Sequence, residues 1–247
     1  MDTPGYIVLS RLAAQRRATD VLAANIANAG TPGFKASQAI FAQELTRQPG
    51  IDAPAGGQRL AFTQDRATWR NNAAGSLQHT GNPLDLALSG EGYFAVETPR
   101  GERFTRAGHF TLSPESLVVD PDGNPVLGEG GQPLRLPPGD VRIEVKGDGT
   151  IASETGQIGR LRVVRFEDRQ QLLAEGNRLF AAPEGVEAQP DPAPRVVQGA
   201  VEESNVSPVA ELTRLTAALR EFQFAAQFIE KEGERLGSAV DRILKRR

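Results

Sequence analysis

Apolar side chains near the start of the chain recur every three or four residues, the spacing that lines one face of an α-helix. Alanine fills much of the rest of this segment. Gly30 and Pro32 follow it and are typical helix terminators. We therefore predict an N-terminal helix over residues 5–28. The apolar positions on its face are Leu9, Leu12, Leu22 and Ile26.

The end of the chain carries a clearer helical pattern. Ser207 is placed to cap a helix, and Pro208 suits the first helical position. From Leu212 onward the steps between apolar residues average about 3.5 over more than four heptads, which is typical of a coiled-coil seam. At about 1.5 Å per residue this helix spans roughly 55 Å. The seam residues are Leu212, Leu215, Leu219, Phe222, Ile229, Leu236 and Val240.

Between the helices the pattern changes to short runs in which apolar and polar residues alternate, which favours β-strands. Turn dipeptides such as Asp122-Gly123 and Asp148-Gly149 separate the runs and suit tight hairpins. We predict an antiparallel β-rich middle domain. Its strongest strand candidates cover residues 84–90, 93–97, 103–112 and 141–145.

These patterns predict an α+β fold. Its long N- and C-terminal α-helices are expected to pair as a coiled-coil-like domain, and its middle is β-rich and antiparallel. The predicted segments are 1–35 as N-terminal assembly helix and turn, 36–76 as an extended arm or loop, 77–182 as the β-rich middle domain, 183–204 as a Pro-rich connector, and 205–247 as C-terminal assembly helix.

The apolar stripe of each helix needs a partner, because most helical stability in proteins comes from packing. The N-terminal helix is several turns shorter than the C-terminal one, so part of the longer stripe stays uncovered within one chain. Other copies of the chain are the expected cover, which predicts a self-assembling structural subunit. The alternative is a helical hairpin that closes within the monomer.

Asn25 and Asn28 stand one helical turn apart near the end of the first helix, although asparagine is a weak helix former. One interpretation is that their amides fix the register between packed helices, as a buried seam asparagine does. The other is that they fray the helix end. The sequence leaves both open.

Composition narrows the function classes. The chain has 28 basic and 31 acidic residues and a formal charge of −3. This balance argues against a nucleic-acid binder, because such proteins need a basic stripe on their surface. It contains no cysteine, which excludes disulfides and thiolate metal sites. No apolar run reaches the ~20 residues of a membrane span. Charges near the start argue against a cleavable signal peptide, so we expect any export to use another route.

Catalytic or metal-binding patterns are not recognisable. His79 and His109 are thirty residues apart and have no metal-binding spacing. Asp120 begins a segment like a calcium loop, but Pro125 stands where glycine is required, so we interpret it as a turn. We expect no enzymatic activity, no cofactor and no metal. The competing class is a secreted enzyme or binding module whose β domain holds a cleft.

Three blocks carry a family resemblance. NIANAGTPGFK (25–35), TGNPLDLALSGEGYFAVETPRGERFTRAGHF (80–110) and VEESNVSPVAELTRL (201–215) resemble the N-terminal, middle and C-terminal signatures of the bacterial flagellar rod and hook proteins, in the same order. The resemblance implies that the signature residues serve assembly together with the two helix faces. These signature residues include Gly33, Phe34, Asn205 and Val206.

The resemblance further implies a subunit whose terminal helices pack against neighbours into a helical tube, with a β-rich domain outside. Its partners would be other copies of itself, neighbouring rod proteins and, in transit, the flagellar type III export apparatus. It would need no cofactor and no cleaved signal, and would transmit motor torque in the periplasmic rod of the basal body. The length and residues 6–28 most resemble a proximal rod subunit, with a distal rod or hook-junction subunit as the alternative.

Overall fold

The computed structural model describes residues 3–48, 58–140, 142–176 and 178–244. The chain forms two compact units, and it passes between them four times. We call the first the helix–hairpin unit; it comprises Met1–Ala27, Ser37–Arg70 and Ser207–Arg247. We call the second the β unit; it comprises Asn28–Ala36 and Asn71–Val206.

The helix–hairpin unit contains two helices and one hairpin: α1 (Thr3–Ala27), β1 (Ser37–Gln48), β2 (Gln58–Arg70) and α2 (Pro208–Leu244). The two helices run antiparallel, because residues nearer the start of α1 contact residues nearer the end of α2. The Gln15 amide donates to the Ala218 carbonyl over 2.9 Å, and Arg11 lies 3.9 Å from Glu221. Neither helix, in the part of the chain described, is long and apolar enough to cross a membrane.

The predicted coiled-coil-like pairing of the helices is wrong. The described chain has only these two α-helices, and α1 packs against the β1–β2 hairpin as well as α2. Leu212 and Leu219 of the predicted seam are 50% and 46% exposed, whereas the residues just before them, Glu211 and Ala218, are buried. Apolar residues cover a wider part of the α2 surface than α1 can contact. The spacing of these residues therefore did not show which part of that surface faces α1.

Residues 36–76, expected as an extended arm or loop, contain the hairpin instead. Its strands pair antiparallel from Ser37 with Arg70 to Gln48 with Gln58, and the register shifts between Ile40 and Phe41. The strands run along α1, where Ser10 Oγ accepts the backbone N–H of Thr63 over 3.3 Å. A two-stranded ribbon has little stability alone, so this contact supports it. Residues 49–57 of the expected arm lie outside the described residues.

The β unit is built from short antiparallel strands. Its strands are β3 (Leu77–His79), β4 (Leu86–Leu88), β5 (Tyr93–Thr98), β6 (Gly101–Thr105), β7 (Thr111–Leu112), β8 (Val118–Val119), β9 (Ile143–Val145), β10 (Thr150–Ser153), β11 (Gly156–Arg160), β12 (Val163–Arg165), β13 (Leu173–Ala174), β14 (Leu179–Ala181), β15 (Gln189–Pro190), β16 (Val196–Gln198) and β17 (Ala200–Glu202). A six-stranded sheet has the order β13-β14-β6-β5-β12-β15, and a three-stranded sheet has the order β11-β10-β9. The other strands form the two-stranded pairs β16-β4, β17-β3 and β7-β8, and a 3-10 turn lies at Arg169–Gln171.

Strand β5 contributes to a core on each of its faces, because successive side chains of a strand point to opposite sides. Phe94 meets Phe110 edge to face, with ring centroids 5.3 Å apart, in the larger core. Tyr93 meets Phe166 and Phe180, each at 5.8 Å, in the smaller one. The β unit therefore buries most of its own large apolar side chains.

Residues 183–204, expected as a connector, take part in the sheets. β16 pairs with β4 and β17 pairs with β3, and Val196, Ala200 and Val201 are buried. Residues 28–36 also belong to the β unit. The observed units therefore differ from the predicted segments at both ends of the middle domain.

Candidate assembly site

A buried ionic cluster lies where the three signature blocks meet in the β unit. The Glu202 side chain at the end of β17 is 1% exposed. Its Oε1 accepts a hydrogen bond from Lys35 Nζ over 2.5 Å, and its Oε2 accepts one from Arg106 Nε over 2.8 Å. Both cations are buried as well. We call these three residues the Glu202 cluster; it joins the N-terminal, middle and C-terminal blocks through charged groups.

Backbone groups satisfy the rest of the cluster, as buried charges require. The Arg106 guanidinium donates to the carbonyls of Leu88, Gly90 and Gly92. Lys35 also donates to the Ala73 carbonyl over 2.8 Å. Burial lowers the pKa of the Lys35 ammonium, and its hydrogen bond to Glu202 opposes that shift. One carboxylate thus holds two buried cations in place.

Asn205 holds together the segments that lead out of the β unit. Its Oδ1 accepts the Ala36 N–H over 2.8 Å. Its Nδ2 donates to the carbonyls of Asn71 and Ala73 over 2.8 and 2.9 Å. Ala36, Asn71 and Asn205 each stand within two residues of a point where the chain passes between the units. Val206 beside it is buried.

Gly33 sits in a position that only glycine fits. Its φ is +72°, and a Cβ there would lie 2.4 Å from the Ala107 backbone nitrogen. Its own N–H donates to the Glu202 carbonyl over 2.7 Å. Phe34, the next residue, is half-buried in the same unit. The tight turn therefore brings the N-terminal block against the backbone beside Arg106.

Asn25 plays a comparable part in the helix–hairpin unit. It is 1% exposed, and its amide exchanges two hydrogen bonds with the backbone of Ser37, over 2.8 and 2.9 Å. Its Nδ2 also donates to Glu211 Oε2 over 3.0 Å. Asn25 thus joins α1, β1 and α2. Asn28 lies beyond the helix, in a turn where its Oδ1 accepts from Thr31 Oγ1 over 3.3 Å.

The helix faces expected to serve assembly are partly open. Leu9, Leu212, Leu219 and Phe222 are exposed. Leu12, Leu22, Ile26, Leu215 and Ile229 are half-buried, and the side chains of Leu236 and Val240 lie outside the described residues. The structure adds exposed apolar side chains that the heptad pattern did not include: Ile40, Leu45, Trp69, Val209, Phe224 and Phe228.

The acidic groups at Asp120 and beside His109 take part in hydrogen bonds within the β unit. The Asp120 carboxylate accepts the N–H groups of Asp122 and Asn124. His109 Nδ1 lies 2.7 Å from Asp85 Oδ1, and Thr80 donates to the other oxygen of Asp85 over 2.6 Å. Within the described ranges, no group of three potential metal ligands comes together.

Comparisons with known proteins find flagellar relatives of this chain. Three family models match: "Flagella basal body rod protein" at residues 6–35, "Flagellar hook protein FlgE/F/G D1 domain" at 87–153, and "Flagellar basal body rod FlgEFG protein C-terminal" at 197–242. The chain is 34% identical to the flagellar basal-body rod protein FlgF of Caulobacter vibrioides over 98% of each chain. It is 31% identical to FlgF of Escherichia coli over 97% of each. Identity to FlgG of Bacillus subtilis is 29%, over 90% of this chain and 92% of that protein.

The Glu202 cluster yields a first prediction. Glu202→Gln leaves two buried cations without their counter-charge, so we expect the free energy of unfolding of the β unit to fall by about 3 kcal/mol or more. This corresponds to a fall in Tm of roughly 6–12 °C, measured by calorimetry on the full chain. The matched control is Glu203→Gln at the exposed neighbouring carboxylate, which we expect to cost less than about 1 kcal/mol. Equal effects of the two variants would refute the cluster's role.

The turn at Gly33 yields a second prediction. Gly33→Ala would place an alanine at a positive φ, with its Cβ against the backbone of Ala107. We therefore expect the free energy of unfolding to fall by about 2 kcal/mol or more. Gly30→Ala is the control, because a Cβ at Gly30 meets nothing within 4 Å. We expect that control to be neutral or slightly stabilising. Chemical denaturation of both variants measures the difference, and a Gly33→Ala protein as stable as the control would contradict the tight turn.

Proposed function

This chain belongs to the flagellar basal-body rod protein family, and we propose that it assembles into the rod through its helix–hairpin unit. Its role is that of a structural subunit of the basal body and not of an enzyme. The proposal for the assembly surface depends chiefly on one observation: exposed large apolar side chains are concentrated on the helices and the hairpin of one unit. The β unit exposes Leu77, Leu112 and Leu173 but buries most of its large apolar side chains in two cores.

Three exposed apolar side chains follow one side of α2, because their spacing of seven and three residues places them on one helix face. Leu212, Leu219 and Phe222 are 50%, 46% and 39% exposed. Contiguous apolar surface of this kind on a soluble chain marks an interaction site. Fully burying one such side chain contributes roughly 1.5–3 kcal/mol. Several of them buried together against neighbours give an assembly interface a substantial driving force.

We infer that the neighbours are other copies of the chain and other rod components. The predicted assembly residues on α1 and α2 supply the contact, together with the hairpin residues Ile40, Leu45 and Trp69.

We further propose that the chain occupies the FlgF position of the rod, since FlgF relatives are 31–34% identical to it and FlgG relatives 26–29%. Transit through the flagellar type III export apparatus belongs to the same proposal.

A subunit that carries torque needs each unit to be internally braced. The Glu202 cluster supplies buried charge-assisted hydrogen bonds in the β unit, which are roughly twice as strong as neutral ones. Asn25 supplies the corresponding bracing in the helix–hairpin unit, because its amide bonds to both β1 and α2. We propose that these contacts hold the assembly face in shape before neighbours dock.

The surface is tested with Leu219→Asp. Because Leu219 is half exposed in the single chain, we expect its folding to be unchanged by circular dichroism. Docking would bury the new carboxylate unpaired, which costs several kcal/mol, so incorporation into isolated basal bodies should fall at least about tenfold. Motility of cells that carry only the variant should fall with it.

Thr213→Asp is the matched control. Thr213 is an exposed polar residue of the same helix, and six residues at 100° each place it about 120° around the axis from Leu219. It should incorporate normally. Normal incorporation of Leu219→Asp would remove this face from the interface, and loss with both variants would show only that α2 tolerates no added charge.

A further inference from the structure

The last segment of the β unit supplies the only strand partners that β3 and β4 have in the described part of the chain. We call this segment, residues 195–205, the strap. Its β16 pairs with β4 and its β17 pairs with β3, both antiparallel. Between these strands the Gly199 carbonyl accepts the Thr80 N–H over 2.8 Å, and the Arg195 carbonyl accepts the Ser89 N–H over 2.8 Å. Without the strap, β3 and β4 would belong to no sheet.

The strap also carries the counter-charge of two buried cations. Glu202 lies in the strap, whereas Lys35 and Arg106 belong to the segments on which it docks. The Gly33 N–H donates to the Glu202 carbonyl over 2.7 Å, so the backbone and the side chain of Glu202 hold the same N-terminal segment. Because buried charges are costly to leave unpaired, we expect the contacts of the strap to form and break together.

The two cores of the β unit differ in how far they depend on the strap. The larger core includes Val196 of the strap and Leu86 and Leu88 of β4. The buried residues of the smaller core all lie between residues 93 and 180, before the strap begins. Undocking of the strap therefore opens the larger core and leaves the smaller core closed. Native proteins open locally in cooperative units of this kind.

The strap adjoins three of the four places where the chain passes between the units. Asn205 at its end accepts the Ala36 N–H and donates to the Asn71 carbonyl, and each of these partners stands at such a place. The passage from Val206 to Ser207 follows the strap directly. The docked strap therefore holds these segments to the β unit, and an undocked strap releases them.

We propose that residues 195–205 undock and redock as one unit while the smaller core stays closed, so that the strap switches the β unit between an open and a closed state. In the open state Lys35 and Arg106 lose their carboxylate, and β3 and β4 lose their strand partners. In a rod subunit, docking of the strap fixes the segments that lead to the assembly face. This use of the strap rests on the proposed function, whereas its movement does not.

Amide hydrogen exchange of the full chain, followed by NMR, tests the strap with two sets of reporters. The strap reporters are the N–H groups of Gly33, Thr80 and Ser89, which donate to strap carbonyls and are freed when the strap undocks. The core reporters are the hydrogen-bonded N–H groups of Ala95 and Leu127, two buried residues of the smaller core. We expect the strap reporters to share one protection factor, which is lower than that of the core reporters.

Two substitutions separate the strap from the smaller core. Glu202→Gln removes the counter-charge of the buried cations, so we expect the strap reporters to exchange at least about a hundredfold faster. Phe166→Leu leaves a void in the smaller core, which undocking of the strap does not open. We expect this variant to speed exchange of the core reporters about tenfold and that of the strap reporters less than about twofold.

Glu203→Gln is the matched control, because it removes the charge of an exposed carboxylate beside Glu202. We expect it to change the exchange of either set less than about threefold. If Glu202→Gln does not fold, Gln198→Ala takes its place, because the Gln198 side chain donates to the carbonyls of Pro83 and Ile143. Loss of these hydrogen bonds should speed exchange of the strap reporters about tenfold.

One protection factor shared by all five reporters would show that the β unit opens only as a whole, and would overturn the strap. An equal response of both sets to Phe166→Leu would have the same meaning. The exchange is measured on the free chain, so either result leaves the proposed assembly surface untouched. Normal incorporation of Leu219→Asp into basal bodies, in turn, would refute that surface and leave the strap in place.

Discussion

The arrangement of the β unit depends on the buried Glu202 carboxylate and the two cations that it holds. Lys35 reaches it from the N-terminal segment and Arg106 from the turn after β6, so three distant stretches meet at one group. Buried charges are costly to leave unpaired, and each partner therefore fixes the others. The segments that continue into the helices and the hairpin start from this fixed point, and Asn205 ties them to each other.

Much of the secondary structure could be predicted from the sequence, since local signals determine it. The Ser207-Pro208 pair in the sequence correctly predicts the start of α2, and Gly30 and Pro32 follow the end of α1. The hairpin at residues 37–70 was missed because the glycine- and proline-rich residues between its strands favour an extended arm or loop. The Glu202 cluster could not be predicted, because its partners stand 96 and 167 residues away in sequence and nothing local signals their meeting.

The error over the helix pairing has a physical cause. Periodicity gives the spacing of apolar residues but not the direction in which they face. On α2 the apolar residues cover a broad arc, so a heptad can be drawn through Leu212 and Leu219 although α1 contacts the neighbouring edge with Glu211 and Ala218. Glu211 faces α1 because it accepts a hydrogen bond from Asn25. A pattern of hydrophobic residues does not indicate a polar contact of this kind.

The two units divide the requirements of an assembling subunit between them. The β unit closes its cores around β5 and so keeps its shape whether or not neighbours are present. The helix–hairpin unit leaves Leu219, Phe224 and Phe228 uncovered, and its stability therefore rises when a partner binds, as for any equilibrium linked to association. Had α1 and the hairpin covered all of α2, the helix would be more stable alone but would have no surface left to offer. Under the proposed assembly surface, incomplete burial in this unit is what allows the chain to act as a subunit.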